Sequence, residues 1–251
     1  MRCGIDLGSR SVKLVVMDEK AICATRIYET ASFYREYGRR QTSGFAVDFG
    51  ALGLPAVTAV TATGYGRNTI DIADAVIIPE LKAHVLGAIW QTGRTDFTLL
   101  DLGGQDSKVI KVRQGKMVDF QTNDKCAAST GRYLENMATV LGISLNELSR
   151  YNESPVELNA TCAIFGESEL IGKIAEGYTV SQLAAGVNYT IFKRIKPMLS
   201  ALASDTLVFT GGVALGTAIR DFIAGEMKVE VIVPPQPQLN GAIGCAVYNR
   251  K

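Results

Sequence analysis

At 251 residues, with 47% hydrophobic and 20% charged side chains, the chain is long enough for one large core or two small ones and too apolar to be disordered or collagen-like. A formal net charge of +1 offers no basic field that would draw in nucleic acid or an anionic membrane surface. The opening MRCGIDLGSR has no apolar run of a secretion signal, and no stretch approaches the roughly 18 apolar residues of a spanning helix, so a cytoplasmic protein with neither nucleic-acid nor membrane partners is expected.

The first predicted element is a hairpin. Residues 4–16, GIDLGSRSVKLVV, read as strand, glycine turn and strand, because alternating apolar residues flank a polar loop. Residues 62–67, ATGYGR, read as a tight turn, and no chemistry is assigned to them. The segment PELKAHVLGAIW (79–90) is helical, with Leu81, Val85, Ala88 and Ile89 on one face, and its His84, the single histidine, is expected to be structural or at the surface. Residues 99–111, LLDLGGQDSKVIK, then repeat the first motif: Asp6 to Lys13 and Asp101 to Lys108 share one spacing, which marks a duplicated unit. Successive N–H groups at such a tip form a concavity for an anion, glycine admits a phosphate close to the backbone, and lysine adds a point charge. The aspartate before each glycine suits the water shell of a cation.

Next comes NDKCAASTGRYLENMATVLG (123–142), in which Tyr133, Leu134, Met137, Ala138, Val140 and Leu141 recur at helical spacing and Gly142 stops the run. Cys126 therefore stands at a helix head, with Ser129 as a candidate cap. Cys162, in NATCAIFGESELIGKIAEG (159–177), precedes a second helical pattern through Ile164, Phe165, Ser168, Leu170, Ile171 and Ile174. A thiol at a helix head has a lowered pKa and suits a metal centre; equally, both cysteines read as small core residues. Glu167 and Glu169 suit the helix dipole without further function. Asn188, Lys193, Arg194 and Lys196 read as the solvated face of a helix ahead of Pro197. In LVFTGGVALG (207–216) a strand through Leu207, Val208 and Phe209 enters Thr210-Gly211-Gly212 and a helical segment, a turn whose amides suit a phosphate or the edge of a nucleoside. A last helix carries Leu239, Ala242, Ile243, Ala246 and Val247. Five widely spaced cysteines do not make a disulfide framework, and Cys3, Cys23 and Cys245 are expected in or near the core. Neither a P-loop nor a Rossmann fingerprint occurs.

Paired Asp-x-Gly hairpins followed by a T-G-G turn resemble, over essentially the whole chain, the actin, hexokinase and Hsp70 superfamily. More narrowly, LDLGGQDSKVI, NDKCAASTGRYLE, CAIFGESELI, FTGGVALG and PQLNGAIGCA are similar to the ATP-dependent activators of 2-hydroxyacyl-CoA dehydratases and to the related ATPase subunits of benzoyl-CoA reductase. The resemblance implies an α/β fold of duplicated ribonuclease H-like domains, 1–95 with 238–251 and 96–237, with ATP in the cleft between them. It implies that Gly8, Ser9, Arg10, Ser11, Val12 and Lys13, together with Gly103, Gly104 and Gln105, hold the phosphates of ATP or ADP. Asp6 and Asp101 would then hold Mg2+ through water, Asp101 with Gln105 would orient the attacking water, Gly211 and Gly212 would pack on the adenosine, and Ala128 and Gln238 would lie near the nucleotide.

The same resemblance makes Cys126 and Cys162 ligands of a [4Fe–4S] cluster. Two cysteines per chain cannot supply four thiolates, but a twofold homodimer can, placing one cluster on its axis. Ferredoxin or flavodoxin would supply an electron, ATP the energy to push it uphill, and an iron–sulfur dehydratase or reductase would accept it. Two residues depart from the pattern: Arg10 is bulky where relatives place a small hydroxyl residue, and Ser129 stands where glycine is common. Two rival readings use the same fold. A small-molecule kinase would leave the two helix-head cysteines without a role, and an actin-like structural or regulatory ATPase would form nucleotide-dependent filaments.

Overall fold

The computed structural model describes residues 1–41, 44–47, 50–64, 70–71, 75–123, 130–159 and 163–248; of residues 40, 41, 44, 45, 47, 70, 71, 163 and 164 it describes the backbone alone. The chain divides into two compact units, Met1–Arg94 with Leu239–Lys251, and Thr95–Gln238. In chain order the first unit contains β1 (Arg2–Leu7), β2 (Ser11–Met17), β3 (Ile22–Glu29), α1 (Thr30–Tyr37), β4 (Gly38–Gln41), β5 (Gly44–Val47), β6 (Ala59–Thr63), β7 (Ile70–Asp71), β8 (Ala75–Ile77) and α2 (Glu80–Thr92). The second contains β9 (Phe97–Leu102), β10 (Ser107–Arg113), β11 (Lys116–Asn123), α3 (Gly131–Leu141), α4 (Leu145–Leu148), α5 (Ala163–Ala175), α6 (Val180–Ala201), β12 (Thr206–Thr210), α7 (Ala218–Met227) and β13 (Glu230–Ile232). The chain then returns to the first unit with α8 (Asn240–Tyr248).

Each unit is built on a five-stranded sheet of the same order, β3-β2-β1-β6-β8 and β11-β10-β9-β12-β13. Three antiparallel strands come first and two parallel ones are added beside the first of them. The strands at the centre are apolar on both faces, as strands covered on two sides must be: in the burial of β9 every residue from Phe97 to Leu102 is inaccessible. A small additional sheet, β4-β5-β7, belongs to the first unit alone.

In the first unit Ile5, Leu7, Val12 and Leu14 pack with Phe33 of α1, while Val15 and Met17 on the opposite face meet Ala242, Ile243 and Ala246 of α8. Helix α8 lies so close to its neighbours that glycine is required: a Cβ at Gly244 would overlap the Ala83 carbonyl of α2. In the second unit Leu100, Leu102 and Val109 are covered by Tyr133, Leu134 and Met137 of α3 and by Leu183, Val187 and Ile191 of α6. Helix α3 ends at the expected Gly142, in the left-handed region at φ 67°. Helix α6 starts on a capping box formed by Thr179 and Gln182.

Helix α6 corrects two expectations. It does not stop ahead of Pro197 but runs on to Ala201, because burial of Leu199 and Leu202 offsets the roughly 3 kcal/mol that an interior proline costs. Asn188 is not on a solvated face: it is fully buried, and its amide donates to the carbonyls of Leu148 at 2.8 Å and Tyr151 at 2.9 Å, fastening α6 to the turn after α4. Lys193 donates to the Leu158 carbonyl at 3.4 Å and the Arg194 guanidinium lies 5.1 Å from the centre of the Tyr133 ring. Among these four, the expected solvated character holds for Lys196, paired at the surface with Glu226.

Cys3 and Cys245 are buried as expected, but Cys23 is exposed, since β3 is the outer strand of its sheet and carries little cover. Burial pushes the Cys3 thiol up to about 12 and holds Cys245 well above its ordinary range. Both therefore stay protonated near neutral pH and resist alkylation. Iodoacetamide applied to the native protein at about pH 8 should modify Cys23 but reach Cys3 and Cys245 only after denaturation, as read by peptide mass. In urea unfolding, Asn188→Ala should cost about 2 kcal/mol through the loss of two buried hydrogen bonds, while Lys196→Ala should leave the midpoint in place.

Candidate functional site

The two hairpins place their polar residues in the same register. In β1–β2, Asp6 faces Lys13 and Leu7 faces Val12; in β9–β10, Asp101 faces Lys108 and Leu102 faces Ser107. Both aspartates are buried, at 3% and 4% exposure, although they sit beside exposed tips, Ser9–Arg10 and Gln105. Lys13 reaches Asp6 at 3.1 Å, Lys108 pairs with Asp106 at the start of β10, and the carboxylate of Asp101 accepts from the Thr210 hydroxyl at 2.9 Å.

The tips are shaped by what their carbonyls bind. In the first, the Thr30 hydroxyl donates to the Gly8 carbonyl at 2.8 Å and the Thr30 N–H to the Arg10 carbonyl at 3.2 Å. In the second, Gly131 N–H donates to the Gly103 carbonyl and Arg132 N–H to the Gly104 carbonyl, both at 3.0 Å, and the Thr130 hydroxyl also donates to Gly104 at 2.9 Å. In a trans peptide the C=O and the following N–H point to opposite sides. With the carbonyls turned inward, the N–H groups of Ser9, Ser11, Gly104 and Gln105 face away from the helix heads, which is the arrangement that receives an anion.

A third feature recurs beside each aspartate. Thr63 pairs with Asp6 across β6–β1 and Thr210 with Asp101 across β12–β9. Each threonine is followed by a glycine at positive φ, Gly64 at 98° and Gly211 at 92°. A Cβ at Gly64 would stand 2.8 Å from the Asp6 carboxylate and one at Gly211 would overlap the Leu102 carbonyl. The sequence reading gave ATGYGR no chemistry, yet Thr63-Gly64 holds in the first unit the place that Thr210-Gly211 holds in the second. The signal was the Thr-Gly pair at the end of an apolar run, visible by aligning 62–64 with 209–211. Residues 65–67 of that motif lie outside the described residues.

In the second unit Gly211 begins a short 3-10 turn, Gly212–Leu215, ahead of α7 rather than an α-helix directly. Its N–H donates to the Pro237 carbonyl at 3.0 Å, and the Gln238 amide is the nearest group to Gly212, 3.8 Å from where a Cβ would stand. Gly211, Gly212 and Gln238 are thus neighbours. Val12 is fully buried, so only its backbone is available to a ligand. His84 is structural: its side chain is buried, and its carbonyl accepts from the Asn240 amide at 2.9 Å. Cys126, Cys162 and Ala128 lie outside the described residues, as does Ser129; the cap residue of α3 is Thr130. Helix α5 begins with the residue after Cys162, and α3 begins five residues after Cys126.

Residues 3–249 match the BadF/BadG/BcrA/BcrD ATPase family. The chain belongs to this family. It is 36% identical to the activator of lactoyl-CoA dehydratase of Anaerotignum propionicum, over 98% of this chain and 95% of the relative. It is 34% identical to the (R)-2-hydroxyglutaryl-CoA dehydratase activating ATPase of Acidaminococcus fermentans, over 99% and 96%. Among solved structures, the activator of the 2-hydroxyisocaproyl-CoA dehydratase of Clostridium difficile with bound ADPNP superimposes with a TM-score of 0.85 at 31% identity, covering 98% of this chain and 93% of that one. The family and these similarities establish an ATPase on the α/β actin-like ATPase fold, with two sheets of one topology.

The glycine turn beside Asp101 tests how tightly the site is built. Gly211→Ala meets both a positive φ and a carbonyl, and should lower the unfolding free energy by about 3 kcal/mol. Gly212→Ala has room and should change it by less than about 0.5 kcal/mol. Urea unfolding of the two variants beside the parent reads the difference.

Proposed function

We propose that this protein is an ATP-driven one-electron donor that activates a 2-hydroxyacyl-CoA dehydratase or a related iron–sulfur reductase. The observation that carries the reading is the repeated arrangement of aspartate, lysine and Thr-Gly beside two amide-lined tips, on a chain matched almost end to end by dehydratase activators.

In this reading the amides around Ser9 to Lys13 and Gly103 to Gln105 hold the phosphates of ATP, with Lys13 supplying charge. Asp6 and Asp101, buried but each beside an open tip, hold Mg2+ through its water shell. Asp101, oriented by Thr210, and Gln105 align the water that attacks the γ-phosphate, so hydrolysis proceeds by positioning and charge stabilisation. Gly211, Gly212 and Gln238 flank the adenosine, and Ala128 adds a contact.

Cys126 and Cys162 are the ligands we assign to a [4Fe–4S] cluster shared by two copies of the chain. The helices that follow them fit such a group. Gly166, in the first turn of α5, is placed so that a Cβ would stand 3.3 Å from the ring of Tyr133, in the first turn of α3. The two helix heads are therefore packed together, and both direct N-terminal dipoles toward their preceding segments. Cys3 and Cys245, buried as protonated thiols, do not suit ligation. Helix α5 exposes Phe165 (68%), Ile171 (54%) and Ile174, an apolar face that supports association with a second copy. When bound, the cluster supplies one electron at low potential, received from ferredoxin or flavodoxin and passed to the acceptor enzyme.

Asp101→Asn and Lys13→Ala should each abolish most ATP hydrolysis while leaving about four irons per dimer, because phosphate chemistry and ligation use different segments. Cys126→Ser or Cys162→Ser should lose the iron and weaken the dimer, since metal binding then also contributes to assembly; Cys3→Ser, Cys23→Ser and Cys245→Ser should keep both. Anaerobic iron assay, gel filtration and phosphate release on each variant give the answer, and an iron-replete Cys126→Ser dimer would overturn the ligand assignment.

A further inference from the structure

The two hairpin tips share a spacing but not a charge. Counted from each aspartate, the residues four and five places on are Arg10 and Ser11 in the first unit and Gln105 and Asp106 in the second. At equivalent positions the second tip has therefore lost a positive charge and gained a negative one. The side on which Asp106 lies follows from the register. Asp101 and Lys108 face each other across β9–β10, and cross-strand partners share a face. Leu102, one residue on, points the other way, into the core formed with α3 and α6. Because the Lys108 ammonium pairs with the Asp106 carboxylate, Asp106 lies on the face of Asp101, away from the α3 head, on the side to which the amides of Gly104 and Gln105 turn.

We infer that Asp106 sets the form in which the second tip takes its phosphate: as a divalent-cation complex, not as the free anion. This rests on the reading of that tip as a phosphate site. An anion that approached the Gly104 and Gln105 amides alone would meet two carboxylates, Asp101, which is buried, and Asp106, whose side chain is 33% exposed. Lys108, beside both, offsets one of the two negative charges. A small divalent ion offsets the other, and carboxylate oxygens together with phosphate oxygens are the donor set that suits Mg2+. The backbone holds the Asp106 carboxylate in place. Gly103 N–H donates to the Asp106 carbonyl at 3.0 Å, closing the tip, and a Cβ at Gly103 would stand 2.7 Å from Oδ1 of Asp106, so any residue larger than glycine at 103 would push that oxygen aside. The first tip carries Ser11 at the corresponding place and Arg10 before it, and its own charge makes no such demand. Asp106 is thus a specificity-determining residue of the ATPase site, acting beside Asp101.

Calorimetric titration of ADPNP into the full-length, anaerobically prepared protein, with Mg2+ or with EDTA, tests this. In the parent Mg2+ should tighten binding by at least about tenfold, within the usual range of coupling between two ligands. Asp106→Asn should bind ADPNP in EDTA more tightly than the parent does, and its Mg2+ effect should fall below about threefold. Lys108→Met separates charge from shape. It breaks the same ion pair, so it should act like Asp106→Asn if the pair only shapes the tip. If the charge of Asp106 is what matters, uncovering that carboxylate should weaken binding in EDTA and raise the Mg2+ effect above the parent's. Equal binding in Mg2+ and EDTA by the parent, or an unchanged Mg2+ effect in Asp106→Asn, would overturn the inference and leave the nucleotide reading standing. A fall of the Mg2+ effect in Lys108→Met would overturn the role of the Asp106 charge, and this variant decides alone should Asp106→Asn fail to fold. No binding of ADPNP to the parent under either condition would overturn both readings.

Discussion

A hairpin tip can offer its N–H groups to an anion on one side only if its carbonyls point to the other. The peptide plane fixes this, because C=O and N–H of one trans unit cannot both face the ligand. Here the constraint is met twice by the head of a helix, Thr30 on Gly8 and Arg10, and Thr130, Gly131 and Arg132 on Gly103 and Gly104. The helices in turn gain, because the first N–H groups of a helix have no partner within it. Two sets of unsatisfied backbone groups thereby satisfy each other, and the rest of each unit is arranged to keep them in contact.

Burial supports that contact from beneath. Asp6 and Asp101 end apolar strands and are almost inaccessible, a costly position for a carboxylate unless it is hydrogen-bonded or paired. Lys13 pairs with Asp6, and the Thr210 hydroxyl donates to Asp101. In the second unit Lys108 pairs with Asp106. Duplication produced two similar tips.

The added segment before α3 is the clearest divergence. A strand that runs directly into a helix, as at Glu29 and Thr30, leaves no room for a second function. Residues 124–130 introduce a cysteine at that point without altering the bonds between helix head and hairpin. The family relationship over residues 3–249 places both features on one ATPase chain.

Much of this was legible in the sequence because it depends on local repeats. The shared spacing of Asp6–Lys13 and Asp101–Lys108, the helical period from Tyr133 to Leu141 with Gly142 beyond it, and the T-G-G turn all follow from periods and steric rules that act within a few residues. Other features could not be read that way. The burial of Asn188, the run of α6 past Pro197 and the exposure of Cys23 each depend on which distant element covers the residue, or fails to. The equivalence of Thr63-Gly64 and Thr210-Gly211 was written in the sequence but acquires meaning only when parallel pairing sets each beside its aspartate. The contact between Gly104 and Thr130 had no sequence signal at all, since a carbonyl is common to every residue. Sequence determines which groups are present and their local geometry; which carbonyl meets which helix head is decided by sheet order and packing, through contacts between residues far apart in the chain.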